Sequence, residues 1–302
     1  MIIVVCGPTA VGKTKMSVEL AKIYNGEIIN ADSTQVYRGM DIGTAKVTKD
    51  EMNGVKHHLL DIKDVTEMYT VYDYQKDARE KIDEIKAKGH IPILVGGTGL
   101  YIKAALYNYD FVNTDNLDYI DELETQELLD KLSDDDRIMI DTNNRRRLIS
   151  AIKNNLSDDS QIKDKDNLLY DDVYFIGLTT DRDVLYKRID ERFDEMLIPL
   201  VDEVKNFYKK GIRSKALNTA IGYKELYEFF DDKKTFVEVV DECKQNSRNY
   251  AKRQYTWFNN QMDVKWFNVD FDNFQNTIDD VINSIETNYL VFFYLLNRKK
   301  II

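Results

Sequence analysis

The sequence begins with a short apolar run that leads directly into a glycine loop, and this loop constrains the fold more than any other feature. Its residues fit the pattern G-x-x-x-x-G-K-[ST] and are Gly7, Pro8, Thr9, Ala10, Val11, Gly12, Lys13 and Thr14. Glycines let the backbone curl so that successive N–H groups point at one anion, while Lys13 bridges phosphates and the Thr14 hydroxyl can bind Mg²⁺. Because an apolar run precedes the loop and an amphipathic segment follows it, the sequence predicts a phosphate-binding strand–loop–helix unit.

Strand and helix patterns alternate along most of the chain. Short runs rich in Ile and Val predict strands at 2–5, 27–29, 91–95, 173–178 and 264–267. Between them, apolar residues spaced i, i+4, i+7 predict helices through Met16, Leu20 and Ile23 and through Ala78, Ile82 and Ile85. Such alternation is typical of a parallel sheet covered on both faces. The predicted fold class is therefore α/β, a P-loop NTPase-like parallel sheet flanked by helices, with a helical insertion domain.

The segment 108–172 interrupts this alternation and is predicted to be the insertion domain. Apolar spacing predicts one helix through Ile120, Leu123, Leu128 and Leu132, and a second through Leu148 and Ile152. The segment holds 18 acidic and 8 basic residues, which accounts for −10 of the total charge of −11. The predicted catalytic core, 1–107 with 173–302, is therefore almost neutral. The acidic total does not exclude a nucleic acid partner, because the charge is concentrated in one segment.

The C-terminal third predicts long helices. Asp181 begins a helix that Pro199 is expected to interrupt, so that two pieces end before Gly211, and a further helix runs from about Thr235 to Phe258. The apolar run at 289–296 is too short to span a bilayer and predicts a packed strand or helix. Two cysteines cannot form a disulfide framework or a four-ligand zinc site, so a reducing cytoplasm is expected.

Asp32 is the one carboxylate expected at the carboxyl edge of the sheet near the glycine loop. It follows the second strand, whereas the third strand ends in Gly96–Gly99 without an acid. Ligands of α/β proteins bind at this edge, so Asp32 is a candidate metal anchor or general base, and a turn-capping role is the structural alternative. Gly96–Gly99 indicates either a close approach by another group or a plain tight turn.

A row of basic residues, a pair of histidines and the glycine loop itself each have more than one possible role. Four basic residues after Asp181 can close over a bound diphosphate or form a solvated face; these are Arg182, Lys187, Arg188 and Arg192. His57 and His58 are interpreted as structural, because neighbouring side chains point apart and no third metal ligand lies nearby. From the residues alone, the glycine loop is also compatible with a small-molecule kinase or nucleoside triphosphatase acting on ATP, or with a non-catalytic RNA-binding module.

Several longer stretches resemble the tRNA dimethylallyltransferase (tRNA isopentenyltransferase) family. Beside the glycine loop, the matching segments are 32–46, 57–61, 96–101, 220–225 and 250–258. The stretch DSTQVYRGMDIGTAK at 32–46 is the longest and the most specific of them. The resemblance covers residues 1 to about 270. It implies a P-loop enzyme that transfers a dimethylallyl group from dimethylallyl diphosphate to the exocyclic amine of the adenosine 3′ of the anticodon.

The resemblance also implies roles for individual residues. Gly7–Thr14 would grip the diphosphate with Mg²⁺ as cofactor on Thr14, Asp32 would be the general base on the amine, and Thr98 would contact the substrate. The positions of the family's tRNA contacts fall on Asp32, Ser33, Thr34 and Gln35. The implied partners are the anticodon arm of tRNA and dimethylallyl diphosphate. We expect a cytoplasmic monomer that does not engage a membrane.

Two basic groups are further candidates for tRNA binding. On the late helix, cations alternate with aromatic residues as they do in RNA-binding proteins, and the cations are Arg248, Lys252 and Arg253. A surface helix with an aromatic core stripe is the alternative, and the resemblance favours RNA binding. In the insertion, Arg145, Arg146 and Arg147 share one helical turn and can reach phosphates. Ser150 stands where the family has its second arginine in this region.

Overall fold

A computed structural model describes residues 1–108, 117–133, 137, 141–156 and 167–299. Six parallel strands form one sheet in the order β3-β2-β4-β1-β5-β6. The strands are β1 (Ile2–Cys6), β2 (Gly26–Asn30), β3 (His57–His58), β4 (Ile91–Val95), β5 (Val173–Thr179) and β6 (Lys265–Asn268). The predicted α/β fold class with a parallel, helix-flanked sheet is confirmed.

The chain divides into two compact units, of which the first comprises Met1–Leu106 with Tyr170–Ile302 and the second Tyr107–Leu169. In the first unit, β1 is fully buried between β4 and β5, pairing Val4 with Leu94 and Phe175. Runs of consecutive apolar residues form such strands because both faces of a parallel sheet are covered. Since every strand is parallel, the loops at their carboxyl ends all lie along one edge.

Helices of the first unit cover this sheet and extend beyond it. They are α1 (Lys13–Ile23), α2 (Lys49–Met52), α3 (Val71–Ala87), α4 (Gly99–Leu106), α7 (Arg182–Lys209), α8 (Lys215–Thr219), α9 (Tyr223–Phe230), α10 (Phe236–Gln261) and α11 (Phe274–Lys299). The start of α10 is fixed by a capping box in which Thr235 and Glu238 satisfy each other's backbone N–H. A separate apolar cluster joins the middle of α7 to α9 and α10 through Leu200, Tyr223 and Val239.

The prediction that Pro199 divides the helix after Asp181 is wrong. The helix α7 is 28 residues long and passes through Pro199 without a break. Proline removes one backbone donor and strains the preceding turn. Packing on both sides of the proline offsets this cost, because Ile189 and Phe193 are buried before it and Leu200 and Val204 after it.

The edge strand β3 has no apolar pattern and was not predicted. His57 pairs with Ile28 and His58 with Ile29 of β2. The His58 ring donates from Nε2 to the buried Glu27 carboxylate at 2.6 Å, and the His57 ring donates from Nδ1 to the Val55 carbonyl at 2.9 Å. Both histidines therefore have structural partners, in agreement with the interpretation from the sequence.

Glu27 also accepts hydrogen bonds from His90 at 2.8 Å and from Lys88 at 3.2 Å. Burial alone would raise the pKa of Glu27, but the hydrogen bonds from His58, His90 and Lys88 outweigh it and lower the pKa to about 2. Burial lowers the pKa of His58, so a neutral imidazole donates this bond. The start of β2 is thus joined to β3 and to the residues after α3 by one anionic side chain.

The second unit differs from its prediction in one helix. A 3₁₀-helix over Asp118–Glu122 and a short helix α5 (Thr125–Asp130) replace the single helix expected through Ile120 and Leu132. The break occurs because the Glu124 N–H turns to the Glu127 side chain at 2.8 Å, which starts a new helix. The second predicted helix is present as α6 (Arg145–Leu156). The apolar side chains of both pieces still form a small core, made of Ile120, Leu128, Leu132, Leu148 and Ile152.

The C-terminal helix α11 contains the apolar run at 289–296. Its first half packs on the core through Phe274, Ile278 and Val281. Among the residues that the structure describes, none of the helices has the length and hydropathy needed to cross a membrane.

Candidate active site

A cavity of about 720 Å³ lies at the carboxyl edge of the sheet. The glycine loop lines it together with Asp32, Ser33–Gln35 and the Gly96–Gly97 turn after β4. Segments that are far apart in the sequence therefore meet here because parallel strands bring their carboxyl ends to one edge. Of the residues predicted for the diphosphate, those from Thr9 to Thr14 except Val11 border the cavity directly.

The glycine loop turns into α1 at Gly12, whose φ of 90° places it in the left-handed region. The Lys13 Nζ donates to the Pro8 carbonyl at 2.7 Å, so the ammonium lies over its own loop. Burial lowers the pKa of Lys13 to about 8, and the positive charge of Arg192 acts in the same direction. A dianionic or trianionic ligand in the loop would reverse that shift by favouring the charged ammonium.

Two arginines of α7 reach the glycine loop. Arg192 donates to the Thr9 hydroxyl at 2.5 Å, and Arg188 donates from Nε to the Ala10 carbonyl at 3.2 Å. Both guanidinium groups border the cavity. By contrast, Lys187 is exposed and lies 3.7 Å from Glu191, and Arg182 lies over the Tyr186 ring. Arg188 and Arg192 therefore lie at the glycine loop, whereas Arg182 and Lys187 do not contact it, and closure over a diphosphate stays a prediction for the first two.

Asp32 lines the cavity, and one of its carboxylate oxygens is held within its own loop. Its Oδ1 accepts from the Thr34 N–H at 2.9 Å and from the Thr34 hydroxyl at 2.6 Å. Asn30 fixes the Asp32 backbone, since its side chain accepts from the Asp32 N–H and donates to the Asp32 carbonyl at 3.1 Å each. In the described part of the chain no hydrogen bond reaches Oδ2. Asp32 can therefore cap the turn with one oxygen and act as a general base with the other.

Thr98 lies beside the Asp32 loop. Its hydroxyl accepts from the Ser33 N–H at 3.1 Å, and its own N–H donates to the Ala31 carbonyl at 3.1 Å. The loops that follow β2 and β4 are thereby joined next to the cavity. Thr98 itself does not line the cavity, whereas Ser33, Thr34 and Gln35 do.

Gln254 is a site residue that the sequence reasoning did not single out. Its Oε1 accepts from the Thr9 N–H at 3.0 Å and its Nε2 donates to the Gly97 carbonyl at 3.1 Å. The side chain is buried, and a Cβ at Gly97 would overlap its amide, which explains the glycine there. The signal in the sequence is a polar residue within a buried helical row, between Ala251 and Phe258.

The cations predicted on α10 differ in their surroundings. Arg248 makes an ion pair with Asp190 of α7, with both contacts at 2.7 Å. Lys252 and Arg253 are exposed and border a surface groove that also includes Trp257. Arg253 borders the cavity as well. The structure therefore brings Arg253 to the site and keeps Arg248 in an intramolecular pair.

The arginines of α6 belong to the second unit. Arg145 donates to the carbonyls of Asp121 at 3.0 Å and Leu123 at 2.5 Å, so it holds the preceding segment in place. Arg146 and Arg147 are exposed, as is Ser150. All three arginines are exposed, although the Arg145 guanidinium is also held by these two carbonyls.

The donor set of the cavity fits a metal ion that is carried by substrate phosphates. Among the described residues no cluster of three His, Cys, Asp or Glu side chains could hold a metal ion by itself. Mg²⁺ commonly uses one or two protein oxygens, with substrate phosphates and water completing its shell. Thr14 of the glycine loop and Asp32 both line the cavity, and their side chains would supply such oxygens.

A parallel sheet whose first strand runs through a Gly-Lys-Thr loop into a helix defines a P-loop α/β protein, and the basic side chains around the loop mark it as a phosphate-binding one. The model of the IPP transferase family matches residues 35–261. The chain belongs to this family.

Individual relatives agree with this assignment. The tRNA dimethylallyltransferase of Anoxybacillus flavithermus is 45% identical over 298 residues, covering 94% of this chain and 96% of that protein. The crystal structure of the tRNA isopentenylpyrophosphate transferase from Bacillus halodurans has a TM-score of 0.73 at 44% identity, covering 97% and 99% of the two chains. A eukaryotic dimethylallyltransferase described as acting on tRNA has a TM-score of 0.81 at 25% identity, covering 96% of this chain and 79% of the other.

Proposed function

We propose that this protein transfers a dimethylallyl group from dimethylallyl diphosphate to the exocyclic amine (N6) of the adenosine 3′ of the anticodon in tRNA. The observation that carries the proposal is that one cavity holds both a phosphate-binding loop and the Asp32 carboxylate. Membership of the IPP transferase family and the names of its relatives support the same reaction.

On the leaving-group side, the loop receives the diphosphate. As the allylic C–O bond breaks, the diphosphate takes the bonding electrons and its negative charge increases. Lys13, Arg188 and Arg192 stabilise that charge, together with the N–H groups at the start of α1. The three cations rest on oxygens of the loop itself, so they are already close to where the diphosphate binds.

On the amine side, Asp32 acts as the general base. An exocyclic adenine amine is a weak nucleophile because its lone pair is delocalised into the ring, so its proton must leave as the new C–N bond forms. The oxygen of Asp32 that Thr34 does not hold takes this proton. Thr98 holds the Asp32 loop through the Ser33 N–H, and its contact with the substrate stays a prediction.

Mg²⁺ is the proposed cofactor, and Thr14 would hold it together with oxygens of the diphosphate. When bound, such an ion neutralises part of the charge on the leaving diphosphate. A divalent metal is common among prenyl transferases, and the identity of the ion is part of the proposal.

The RNA approaches from the side of Ser33, Thr34 and Gln35. The target adenosine must leave its stack to bring its amine to Asp32, as enzymes that modify bases generally require. Arg253, Lys252 and the exposed arginines of α6 are the proposed phosphate contacts, whereas Arg248 acts through its pair with Asp190. That the enzyme is a cytoplasmic monomer stays a prediction.

A small-molecule kinase or nucleoside triphosphatase is not favoured. Such enzymes usually place a second acid at the end of a neighbouring strand to anchor Mg²⁺ near the γ-phosphate. Here β4 ends in Val95 followed by Gly96 and Gly97, and the Gly97 carbonyl is occupied by Gln254. The relatives are transferases.

The proposal is tested by incubating the protein with dimethylallyl diphosphate, Mg²⁺ and an unmodified anticodon stem-loop, then digesting the RNA to nucleosides. Dimethylallyladenosine is expected at the position 3′ of the anticodon. A matched stem-loop with guanosine at that position should give no product. ATP hydrolysis without prenylated adenosine would instead establish the kinase-like alternative.

A further inference from the structure

Glu203 of α7 binds three consecutive backbone N–H groups of a loop that lies about 160 residues earlier in the chain. Its Oε2 accepts from Asp41 at 3.0 Å and from Ile42 at 2.9 Å, and its Oε1 accepts from Gly43 at 3.3 Å. Successive N–H groups that converge on one carboxylate form a strong anion-binding nest. Glu203 is half-buried and its one carboxylate satisfies three N–H groups of the loop, so the contact fixes the loop on α7.

Tyr223 at the start of α9 completes this contact. Its hydroxyl donates to Glu203 Oε1, and burial raises the pKa of Tyr223, so the phenol remains a neutral donor. The ring is fully buried against the loop: a Cβ at Gly43 would overlap the Tyr223 ring and lie 2.8 Å from a Leu200 methyl group. The loop is therefore closely packed against α7 and α9 in one position.

The loop that Glu203 holds also contributes directly to the cavity. Gly43, Thr44 and Ala45 border the cavity, as Gln35 does. The Gln35 amide donates to the carbonyl of Thr44 at 3.0 Å and to that of Ala45 at 3.4 Å. A displacement of Asp41–Gly43 would therefore move both the wall itself and the groups that orient Gln35.

The loop has internal contacts that do not depend on Glu203. The Thr44 hydroxyl donates to the Met40 carbonyl at 2.6 Å, and Lys46 donates to the Tyr37 carbonyl at 2.8 Å. Its beginning is fixed by the Asp32–Thr34 hydrogen bonds. Loss of the Glu203 carboxylate should thus change where the loop sits without unfolding it.

We propose that Glu203 is a positioning residue of the active site, which seats Asp41–Gly43 on α7 and thereby sets the RNA-facing wall of the cavity formed by Gln35 and Thr44–Ala45. The inference rests on the proposed function, because it assigns this wall to the tRNA substrate. The diphosphate side does not depend on Glu203, since other residues hold the glycine loop.

The test compares three variants in steady-state kinetics with both substrates. Glu203→Gln keeps the size but replaces one acceptor oxygen with a donor, so it cannot satisfy three N–H groups and a hydroxyl together. We expect kcat/KM for tRNA to fall ~10- to 100-fold, as misplaced site groups typically cause, with an unchanged KM for dimethylallyl diphosphate. Tyr223→Phe keeps the three N–H contacts and should lose less. Asp202→Asn, the exposed neighbour on α7, is the matched control and should behave as wild type.

Hydrogen exchange supplies a second readout that does not depend on turnover. The amides of Asp41–Gly43 should exchange faster in Glu203→Gln than in wild type or Asp202→Asn, while the amides of β1 remain protected. Wild-type kcat/KM for tRNA in Glu203→Gln would overturn the proposal. A second result would also overturn it. If the activity of Glu203→Gln falls only in proportion to the fraction of protein that still binds dimethylallyl diphosphate, the variant is partly unfolded and Glu203 has a general structural role. If wild type itself forms no prenylated adenosine, the proposed function fails, and exchange and tRNA affinity still decide the role of Glu203.

Discussion

Asp32 lines the cavity with one carboxylate oxygen held by Thr34, which makes it the residue whose replacement is most informative. Asp32→Asn keeps an acceptor for Thr34 but cannot take a proton from the amine. We expect kcat to fall ~10²- to 10⁴-fold, the usual loss for a missing general base, with nearly unchanged tRNA affinity. Single-turnover kinetics and a filter-binding titration measure the two quantities. Asp183→Asn, an exposed acid on α7, is the control; a parallel loss of rate and tRNA binding would make Asp32 a positioning residue.

Lys13 gives the free enzyme a predicted alkaline limit. Burial lowers its pKa to about 8, so the ammonium that binds diphosphate loses its proton as the pH rises through that value. The value of kcat/KM for dimethylallyl diphosphate reports the free enzyme, and it should fall about tenfold per pH unit above pH 8. In Lys13→Arg this limb should disappear, because a guanidinium stays charged. A wild-type profile that stays flat well above pH 8 would show that Lys13 is not the titrating group.

At the scale of single residues, the sequence predicts groups that belong to local patterns. The glycine loop and Asp32 are recognisable because each follows an apolar strand within a few residues. Gln254 and Glu203 were not predicted, since their partners are backbone groups about 245 and 160 residues away. No local pattern encodes such a pairing, although a polar residue within a buried helical row is a usable hint.

Among the elements, α10 is tied to the glycine loop through Gln254. Gln254→Leu would remove the partners of the half-buried Thr9 N–H and of the buried Gly97 carbonyl, and a buried group left unsatisfied typically costs about 1–3 kcal/mol. We expect KM for dimethylallyl diphosphate to rise by about tenfold or more. Gln245→Leu, an exposed position on the same helix, should leave this KM unchanged. An unchanged KM in Gln254→Leu would mean that the loop keeps its shape without α10.

The stability of the β2 and β3 region is expected to depend on the negative charge of Glu27. Its pKa of about 2 in the folded state, against an ordinary value of 4.5, corresponds to about 3 kcal/mol at neutral pH. This stabilisation is present above pH 4.5 and is lost as the pH falls towards 2. The lowered pKa of His58 acts in the same direction, because the unfolded state binds that proton more readily below about pH 6.5.

Glu27→Gln should therefore lower the free energy of unfolding by about 2–4 kcal/mol at pH 7, and the difference from wild type should narrow at pH 4. Urea denaturation at the two pH values measures both. Glu84→Gln removes the same charge from an exposed pair with Lys81 and should have little effect. Equal stability of Glu27→Gln and wild type at pH 7 would contradict this assignment.

Elements with a strong apolar period were predictable, and the exceptions have physical causes. The five strands with Ile- and Val-rich runs and the helices α1, α3 and α10 appear where expected. β3 has two polar residues and forms through pairing with β2, which local pattern does not reveal. Pro199 is accommodated because tertiary packing on both sides of it keeps α7 continuous.

For the whole molecule, the central question is how an acidic protein binds a polyanion. The insertion carries most of the negative charge, yet Arg146 and Arg147 are exposed on α6. If they contact tRNA phosphates, the double change to Ala should weaken binding and flatten the plot of log affinity against log salt by about two units. Arg145 is kept, because it holds the carbonyls of Asp121 and Leu123. Lys209 and Lys210, two exposed cations at the end of α7, form the matched control pair. An unchanged slope would mean that the insertion does not bind the RNA backbone.

The most direct measurement follows both products of one reaction in the same sample. Enzyme in excess is mixed with dimethylallyl diphosphate and an unmodified anticodon stem-loop, and prenylated adenosine and free diphosphate are quantified over a single turnover. If the glycine loop and Asp32 serve one transfer reaction, the two products should appear at equal rates and in equal amounts, and Asp32→Asn should slow both together. Release of diphosphate without prenylated adenosine, or prenylation at full rate in Asp32→Asn, would contradict the assignment of this cavity.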